Sequence, residues 1–350
     1  MDLTWPLPLE VVHHFVSLWG GDPGNEVLLR DGTNTLFRFR GRGKNYVLRI
    51  HRTGDRQFEE IVAEIDWVDY LYRNGVKVNR PFRSSSGQWV ETLEWDDNVL
   101  YAAVFNHVPG KPPQLYRNDQ WDIRRIRRIG RTLGRMHALN QQYQPPSGIR
   151  RSDWTTIELP KYAEGITPPE DAAYLDTLGE YWEWMLGLPT DDPNVFGLVH
   201  GDYQGGNMLA TRSKLTVIDF DSASYNFYLF DIAHCTGMHA MEAGPWPEEQ
   251  WPAKVEELFT ELIRGYLKEH KMASDWFEFL ANFLMGFQLM YYFNLLARFQ
   301  FDPPQRLEAP HCEFVRTNVL QNRPFVDLDF RTLYKQVEIP AWVSWLLSKD

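Results

Sequence analysis

The chain has almost no cysteine: Cys235 and Cys312 are the only two in 350 residues. That excludes a disulfide framework and makes a reduced, cytoplasmic setting the expectation. Basic charge is also short, with 36 Lys and Arg against 47 Asp and Glu and a net charge of −11. A general nucleic-acid binder draws its affinity from neutralising phosphates, so no nucleic-acid partner is expected. The acidic balance is compatible with a cationic acceptor but does not select one. There is no internal repeat and no low-complexity tract. The leading residues Met1–Pro6 lack a basic stretch followed by an apolar run, so no secretory leader is expected. No long apolar run is uninterrupted either. Residues 277–299 are rich in Phe, Leu, Met and Tyr and about long enough to span a bilayer. Glu278, Asn282, Gln288, Asn294 and Arg298 break the run, which favours a core helix over a lipid-facing one. No membrane partner is expected. Tyr291, Tyr292 and Asn294 are further candidates for lining a substrate pocket.

What is present is a globular composition, 43% hydrophobic and 24% charged, in a chain long enough for two lobes. Its most informative stretch is HGDYQGGNMLATRSKLTVIDFD, from His200 to Asp221. Residues 196–199 make a short apolar approach, and Gly201, Gly205 and Gly206 permit a tight loop from which Asp202 projects. Residues 208–210 and 215–218 are apolar runs about a polar turn, the pattern of a hairpin. Asn207 enters that hairpin and Asp219 leaves it. Phosphoryl transfer asks little covalent chemistry of a protein. It asks for divalent metal to neutralise charge and a carboxylate beside the attacking hydroxyl. Asp202 can supply that carboxylate, and Asn207 and Asp219 offer hard oxygen atoms suited to Mg²⁺.

The pattern HGDxxxxN, followed by a strand and Asp-Phe-Asp, resembles the aminoglycoside phosphotransferase/choline kinase family, relatives of the protein kinases. The resemblance implies that Asp202 faces the acceptor hydroxyl and that Asn207 and Asp219 bind Mg²⁺. It implies a loop-supporting role for His200 and a structural role for Asp231, which would tie down the catalytic loop. It also touches Leu133–His137, where His137 is read as a buried, hydrogen-bonded structural residue.

A kinase needs a cation on the phosphates and a cover over them. Residues 46–50 read as a strand, and Arg49 sits where protein kinases place a Lys; in having Arg there the chain resembles the choline-kinase side of the family. Arg offers a planar donor fork matched to phosphate and carboxylate. Residues 58–72 are helical in pattern, with Ile61, Ile65, Val68 and Leu71 at steps of three and four. Glu64 on that helix is the assigned partner of Arg49, with Glu60 one turn earlier as the alternative. Gly32, Thr33, Asn34 and Thr35 lie between candidate strands 26–30 and 36–40, and the family often places a turn of this composition over the phosphates. A plain hairpin turn is the other reading. A strand at 99–104 leads into Phe105–Gly110, which resembles the family's linker, where backbone groups of Asn106 and Val108 would grip adenine.

The expected fold is α+β and protein-kinase-like. Residues 1–105 form an antiparallel sheet lobe with one packed helix, residues 106–113 a hinge, and residues 114–350 a larger, mostly helical lobe. Helices are expected at 9–18, 120–139, 174–185 and 251–268. The expected activity is ATP- and Mg²⁺-dependent transfer of phosphate to a small-molecule hydroxyl, of the amino alcohol, homoserine, aminoglycoside or sugar class. A protein Ser/Thr kinase of the same fold and a non-catalytic nucleotide-binding protein remain alternatives. Trp246, Trp251, Glu242, Glu248 and Glu249 follow the metal segment and are candidates for bordering the acceptor pocket.

Overall fold

The computed structural model describes residues 7–51, 56–244, 246–299 and 310–338. Met1–Pro6, read above for a leader, lie outside the described residues. The elements run α1 (Leu9–Leu18), β1 (Val27–Arg30), β2 (Asn34–Gly41), β3 (Lys44–His51), α2 (Phe58–Arg73), β4 (Pro81–Phe82), β5 (Glu91–Trp95) and β6 (Asn98–Asn106). Then come β7 (Tyr116–Arg117), β8 (Gln120–Trp121), α3 (Ile123–Asn140), α4 (Leu159–Glu164), α5 (Ala173–Leu186), β9 (Phe196–Val199), β10 (Met208–Ala210) and β11 (Leu215–Val217). The remainder holds β12 (Ser224–Phe227), α6 (Tyr228–Ala243), α7 (Trp251–Tyr266), α8 (Leu280–Phe299), α9 (Pro310–Leu320) and α10 (Phe330–Glu338).

Two compact units result. One comprises Met1–Lys111, Tyr143–Ser152 and Met208–Asp221; the other comprises Pro112–Gln142, Asp153–Asn207 and Ser222–Asp350. The first is built on an antiparallel sheet in the order β1-β2-β3-β6-β4, with β5 also paired to β6. Alternation along the strands gives each face its own packing partner. Phe37, Phe39, Leu48, Ile50, Leu100 and Val104 meet Val11, Val12, Phe15 and Val16 of α1, while Ala103 and Phe105 meet Ile61 and Ile65 of α2. Each of the Val, Leu, Ile and Phe side chains among them contributes about 1.5–3 kcal/mol when fully buried. The sequence anticipates α2 on this sheet; α1 is a second helix packed on it. The β10–β11 hairpin joins this unit through main-chain bonds. Val217 N donates to Lys77 O at 2.9 Å and Val217 O accepts from Asn79 N at 3.2 Å, while Ala210 and Lys111 exchange bonds of 2.8 and 3.2 Å.

The second unit is mostly helical. Asp122 caps α3 by accepting from Arg125 N at 3.0 Å, so the helix begins at Ile123 rather than Gln120, and Gln120–Trp121 pairs as β8. The segment Ser274–Ala297 is long and apolar enough to cross a membrane by length and composition. Within this unit it buries Leu280, Phe283, Leu284, Phe287, Gln288 and Tyr292, and α8 contacts α5, α6 and α9. That is the packing of a core helix. A short antiparallel pair, β9 with β12, leads the chain into and away from the loop that carries Asp202.

Candidate active site

In the sheet unit, Arg49 and Glu64 form the pair expected of them. Arg49 Nη1 donates to Oε1 at 2.9 Å and Nη2 to Oε2 at 2.6 Å. Both are buried, at 4% and 1% exposure. Burial alone would push the guanidinium pKa down, but the charge and hydrogen bonds of Glu64 outweigh it and hold the pKa above its ordinary value. Glu60 is engaged elsewhere: Ser152 Oγ donates to its carboxylate and Arg151 Nη1 to its carbonyl.

Register decides the rest of this half-site. Asn34 pairs with His51 and Leu36 with Arg49, so Asn34 shares the Arg49 face of the sheet, whereas Thr35 pairs with Ile50 on the α1 side. Thr35 is fully buried and its hydroxyl has no protein partner among the described residues. The Thr35 side chain therefore faces the core, so that any phosphate contact from Thr35 would come from its backbone. Gly32 and Thr33 form the turn, and Asn34 already begins β2. At the linker, Asn106 N donates to Arg80 O at 2.9 Å and its Oδ1 accepts from Arg80 N. Any adenine contact from Asn106 would then run through its carbonyl, with Val108 two residues on.

Asp219 ends the hairpin in the left-handed region, φ +65°, a conformation costing a non-glycine residue about 1–3 kcal/mol and concentrated at functional sites. Its carboxylate is 31% exposed, and Oδ2 lies 3.5 Å from Arg30 Nη1. Phe220 anchors the segment edge-on against Trp67 of α2. Asp221 O accepts from Arg56 Nη2 at 2.9 Å and Arg151 Nη2 at 2.7 Å. Burial would raise the Asp221 pKa, but Arg49, His51, Arg56 and Arg151 together hold it below its ordinary value. Arg56 and Arg151 gave no sequence signal; their roles depend on contacts far apart in the chain.

In the helical unit, the loop after β9 is pinned from α6. Asp231 accepts from His200 N at 2.7 Å and Gly201 N at 2.9 Å. Burial would raise its pKa; His137, at 3.3 Å, and the loop amides hold it down. His137 bonds Tyr266 Oη at 2.9 Å and stacks on Tyr228 at 4.1 Å, the buried structural role expected of it. Gly201 has φ +78°, and a β-carbon there would stand 2.2 Å from Ser222 O, so only glycine fits. His200 Nδ1 accepts from Asp202 N at 3.3 Å, and Tyr203 Oη reaches Ile129 O at 3.0 Å.

These bonds present the Asp202 carboxylate at 35% exposure with both oxygens engaged. Asn207 Nδ2 donates to Oδ2 at 2.6 Å and also to Asp202 O at 3.0 Å. His234 Nε2 stands 2.9 Å from Oδ1. Burial would raise the Asp202 pKa, but His234 first, then His200 and Asn207, push it down to about 2. With Nδ2 of Asn207 so used, Oδ1 is its ligand-capable atom. Among the described residues no three His, Cys, Asp or Glu form a ligand cluster. The Asn207 carbonyl and the Asp219 carboxylate, each in its own unit, are oxygen donors of the kind that suit Mg²⁺, which takes few protein oxygens and keeps water and phosphate for the rest. His234 went unread in the sequence. Its spacing of three from Asp231, once α6 is drawn as a helix, is the signal that would have found it.

Among the pocket candidates, Tyr292 is structural, its hydroxyl bonded to Asp171, which also pairs with Arg316 at 2.6 Å. Trp246 and Trp251 lie in an aromatic cluster with Phe325. Glu242 Oε2 is 3.2 Å from His239 Nδ1 and close to the Asp202 loop: a β-carbon on Gly205 would stand 3.2 Å from it.

A model of the phosphotransferase enzyme family matches residues 26–277. Amicoumacin kinase of Bacillus subtilis (strain 168) is 24% identical over 307 residues, 87% of this chain and 90% of that protein. The solved structure of amicoumacin kinase hAmiN in complex with AMP-PNP, Ca²⁺ and Ami superposes with a TM-score of 0.84 at 24% identity, covering 93% of this chain and 96% of that one. A microcompartment-associated aminopropanol kinase gives 0.69 at 20% identity over 89% and 95%.

Proposed function

We propose, from the premise that this chain belongs to the phosphotransferase enzyme family and is a kinase with an alcohol acceptor, that it moves the γ-phosphoryl of ATP to a hydroxyl of a small amine-bearing molecule. The single observation that supports this most is the Asp202 carboxylate, half-exposed on a loop fixed at every turn, with Asn207 on one oxygen. Asp202 orients the acceptor hydroxyl. A carboxylate held near pKa 2 is a poor ground-state base, so it takes the proton late, as bonding to phosphorus acidifies the hydroxyl. Asn207 Oδ1 and Asp219 are the proposed protein ligands of Mg²⁺. When bound, the ion would neutralise charge on the phosphates. Arg49, locked by Glu64, steadies the phosphates that are not transferred, and Gly32, Thr33 and Asn34 cover them. Asn106 O and Val108 N hold adenine.

Glu242 supports the amine. A carboxylate 45% exposed and beside Gly205 of the catalytic loop suits an acceptor carrying an ammonium group, and one similar structure is named an aminopropanol kinase. An ADP-release screen over amino alcohols, aminoglycosides, homoserine and neutral sugars tests the reading. Turnover should appear with an amine-bearing alcohol and fall by about 10²–10⁴ in Asp202→Ala. Glu242→Gln should raise KM for that acceptor with kcat little changed. Near-wild-type turnover by purified Asp202→Ala removes the mechanism.

A further inference from the structure

α6 carries two polar side chains aimed at the catalytic loop. Asp231 holds the loop's main chain through His200 N and Gly201 N. Three residues on, and so on the same helical face, His234 places Nε2 2.9 Å from Asp202 Oδ1. The His234 side chain is only 16% exposed, and its ring is braced edge-on by Phe287 of α8 at 5.4 Å. On the other side of the carboxylate, Asn207 Nδ2 binds Oδ2. A carboxylate gripped at one oxygen still turns about its last torsion, which is broad for Asp. A hydrogen bond on Oδ2 and an imidazole nitrogen at ion-pair distance from Oδ1 together restrict that rotation.

We propose that His234 is a positioning residue for phosphoryl transfer: it holds Oδ1 of Asp202 so that the carboxylate keeps one orientation toward the acceptor hydroxyl. The inference rests on Asp202 being the acceptor-facing carboxylate. Orientation of this kind carries large rate factors, since a misplacement of about 1 Å costs on the order of 10²-fold. The contacts of His234 are to Asp202, Phe230 and Phe287, all within the helical unit, so its effect belongs in kcat.

The test uses the full-length chain with His234→Phe, which keeps an aromatic ring beside Phe287, and His234→Gln, whose side-chain amide can replace the Nε2 contact. Each is also made in an Asp202→Asn background. His234→Phe should lower kcat by about 10- to 100-fold with KM for ATP moved less than about threefold. His234→Gln should recover most of that loss. In the Asp202→Asn background, where the carboxylate is gone, the same change should cost less than about threefold. Unchanged kcat in His234→Phe overturns the proposal, as does an equal loss in both backgrounds or no rescue by Gln. Failure of the phosphotransfer reading shows itself separately, as a wild-type protein that turns over no acceptor. Crystal structures then decide the positioning claim alone: an Asp202 carboxylate rotated off Asn207 in His234→Phe supports it, and an unmoved one overturns it.

Discussion

Arg49 and Glu64 illustrate what residue-level chemistry fixes. The two ends of a bidentate fork match the two oxygens of a carboxylate, and here both partners are out of water. Removing one leaves the other buried and uncompensated, so Glu64→Ala should destabilise the sheet unit by about 3–5 kcal/mol. Arg49→Lys keeps charge but loses the fork, and should weaken nucleotide binding by roughly tenfold with a smaller stability loss. Urea unfolding and titration calorimetry with ATP and Mg²⁺ would measure both; equal stability loss in the two variants would contradict the fork argument. This pair was legible because strand and helix patterns each place one charged residue at a set position. His234 was not, because its one signal, the spacing of three from Asp231, counts only once α6 is drawn as a helix, and α6 has no polar stripe to announce it. Thr35 misled for a related reason: a Thr beside a glycine turn reads as a loop hydroxyl, but one residue of register puts it on the core face.

At the scale of elements, periodicity found the helices that have one wet face. α2, α3, α5 and α7 all announced themselves within a few residues. α6 did not, since most of its residues are buried all round the helix and such a segment has no stripe to read. α9 and α10 also went unread. Closely packed helices offer a sharper prediction. α3 and α7 approach through facing glycines: a β-carbon on Gly130 would stand 1.9 Å from Leu262 O, and one on Gly265 2.0 Å from Arg127 O. These are backbone atoms and cannot rotate aside. Gly130→Ala should therefore cost about 1–3 kcal/mol or more, against the gain of a few tenths to one that Gly→Ala gives in an open helix. Gly179 of α5, with nothing near its missing side chain, is the control and should be stabilised by Ala. A thermal-melt comparison in which both substitutions raise Tm would remove the close-approach reading of α3 and α7.

At the scale of the whole molecule, the two-lobe class was legible from the order of motifs, but the composition of each unit was not. Residues 208–221 group with the sheet unit through bonds to Lys77, Asn79 and Lys111, and residues 143–152 do so through Tyr143 to Asp66 and through Arg151 and Ser152 to Glu60, pairings between segments far apart in the chain that leave no local trace. Each unit also encloses a histidine that resists protonation. Burial first, then Arg49, lowers the His51 pKa to about 3 in the sheet unit, and burial lowers that of His270 to about 4 in the helical one. Against the ordinary value of 6.5, the unfolded chain binds these protons at a pH where the folded chain refuses them. Above pH 6.5 neither state is protonated at these sites and stability is full. As pH falls below that, each histidine weakens folding by about 1.4 kcal/mol per pH unit, until its folded pKa is reached. By pH 5 the loss is about 2 kcal/mol for each. Asp221 and Asp231 work in a lower window: their pKa values are depressed by folding, so their contribution persists above the ordinary carboxylate range and is lost only in stronger acid. Because each unit holds at least one such histidine (burial lowers the pKa of His137 in the helical unit as well), unfolding midpoints should drop between pH 7 and 5 whether the units melt together or apart. His270→Gln should flatten that slope for the helical unit, and midpoints unchanged from pH 7 to 5 in the wild type would show that these imidazoles are protonated in the folded chain.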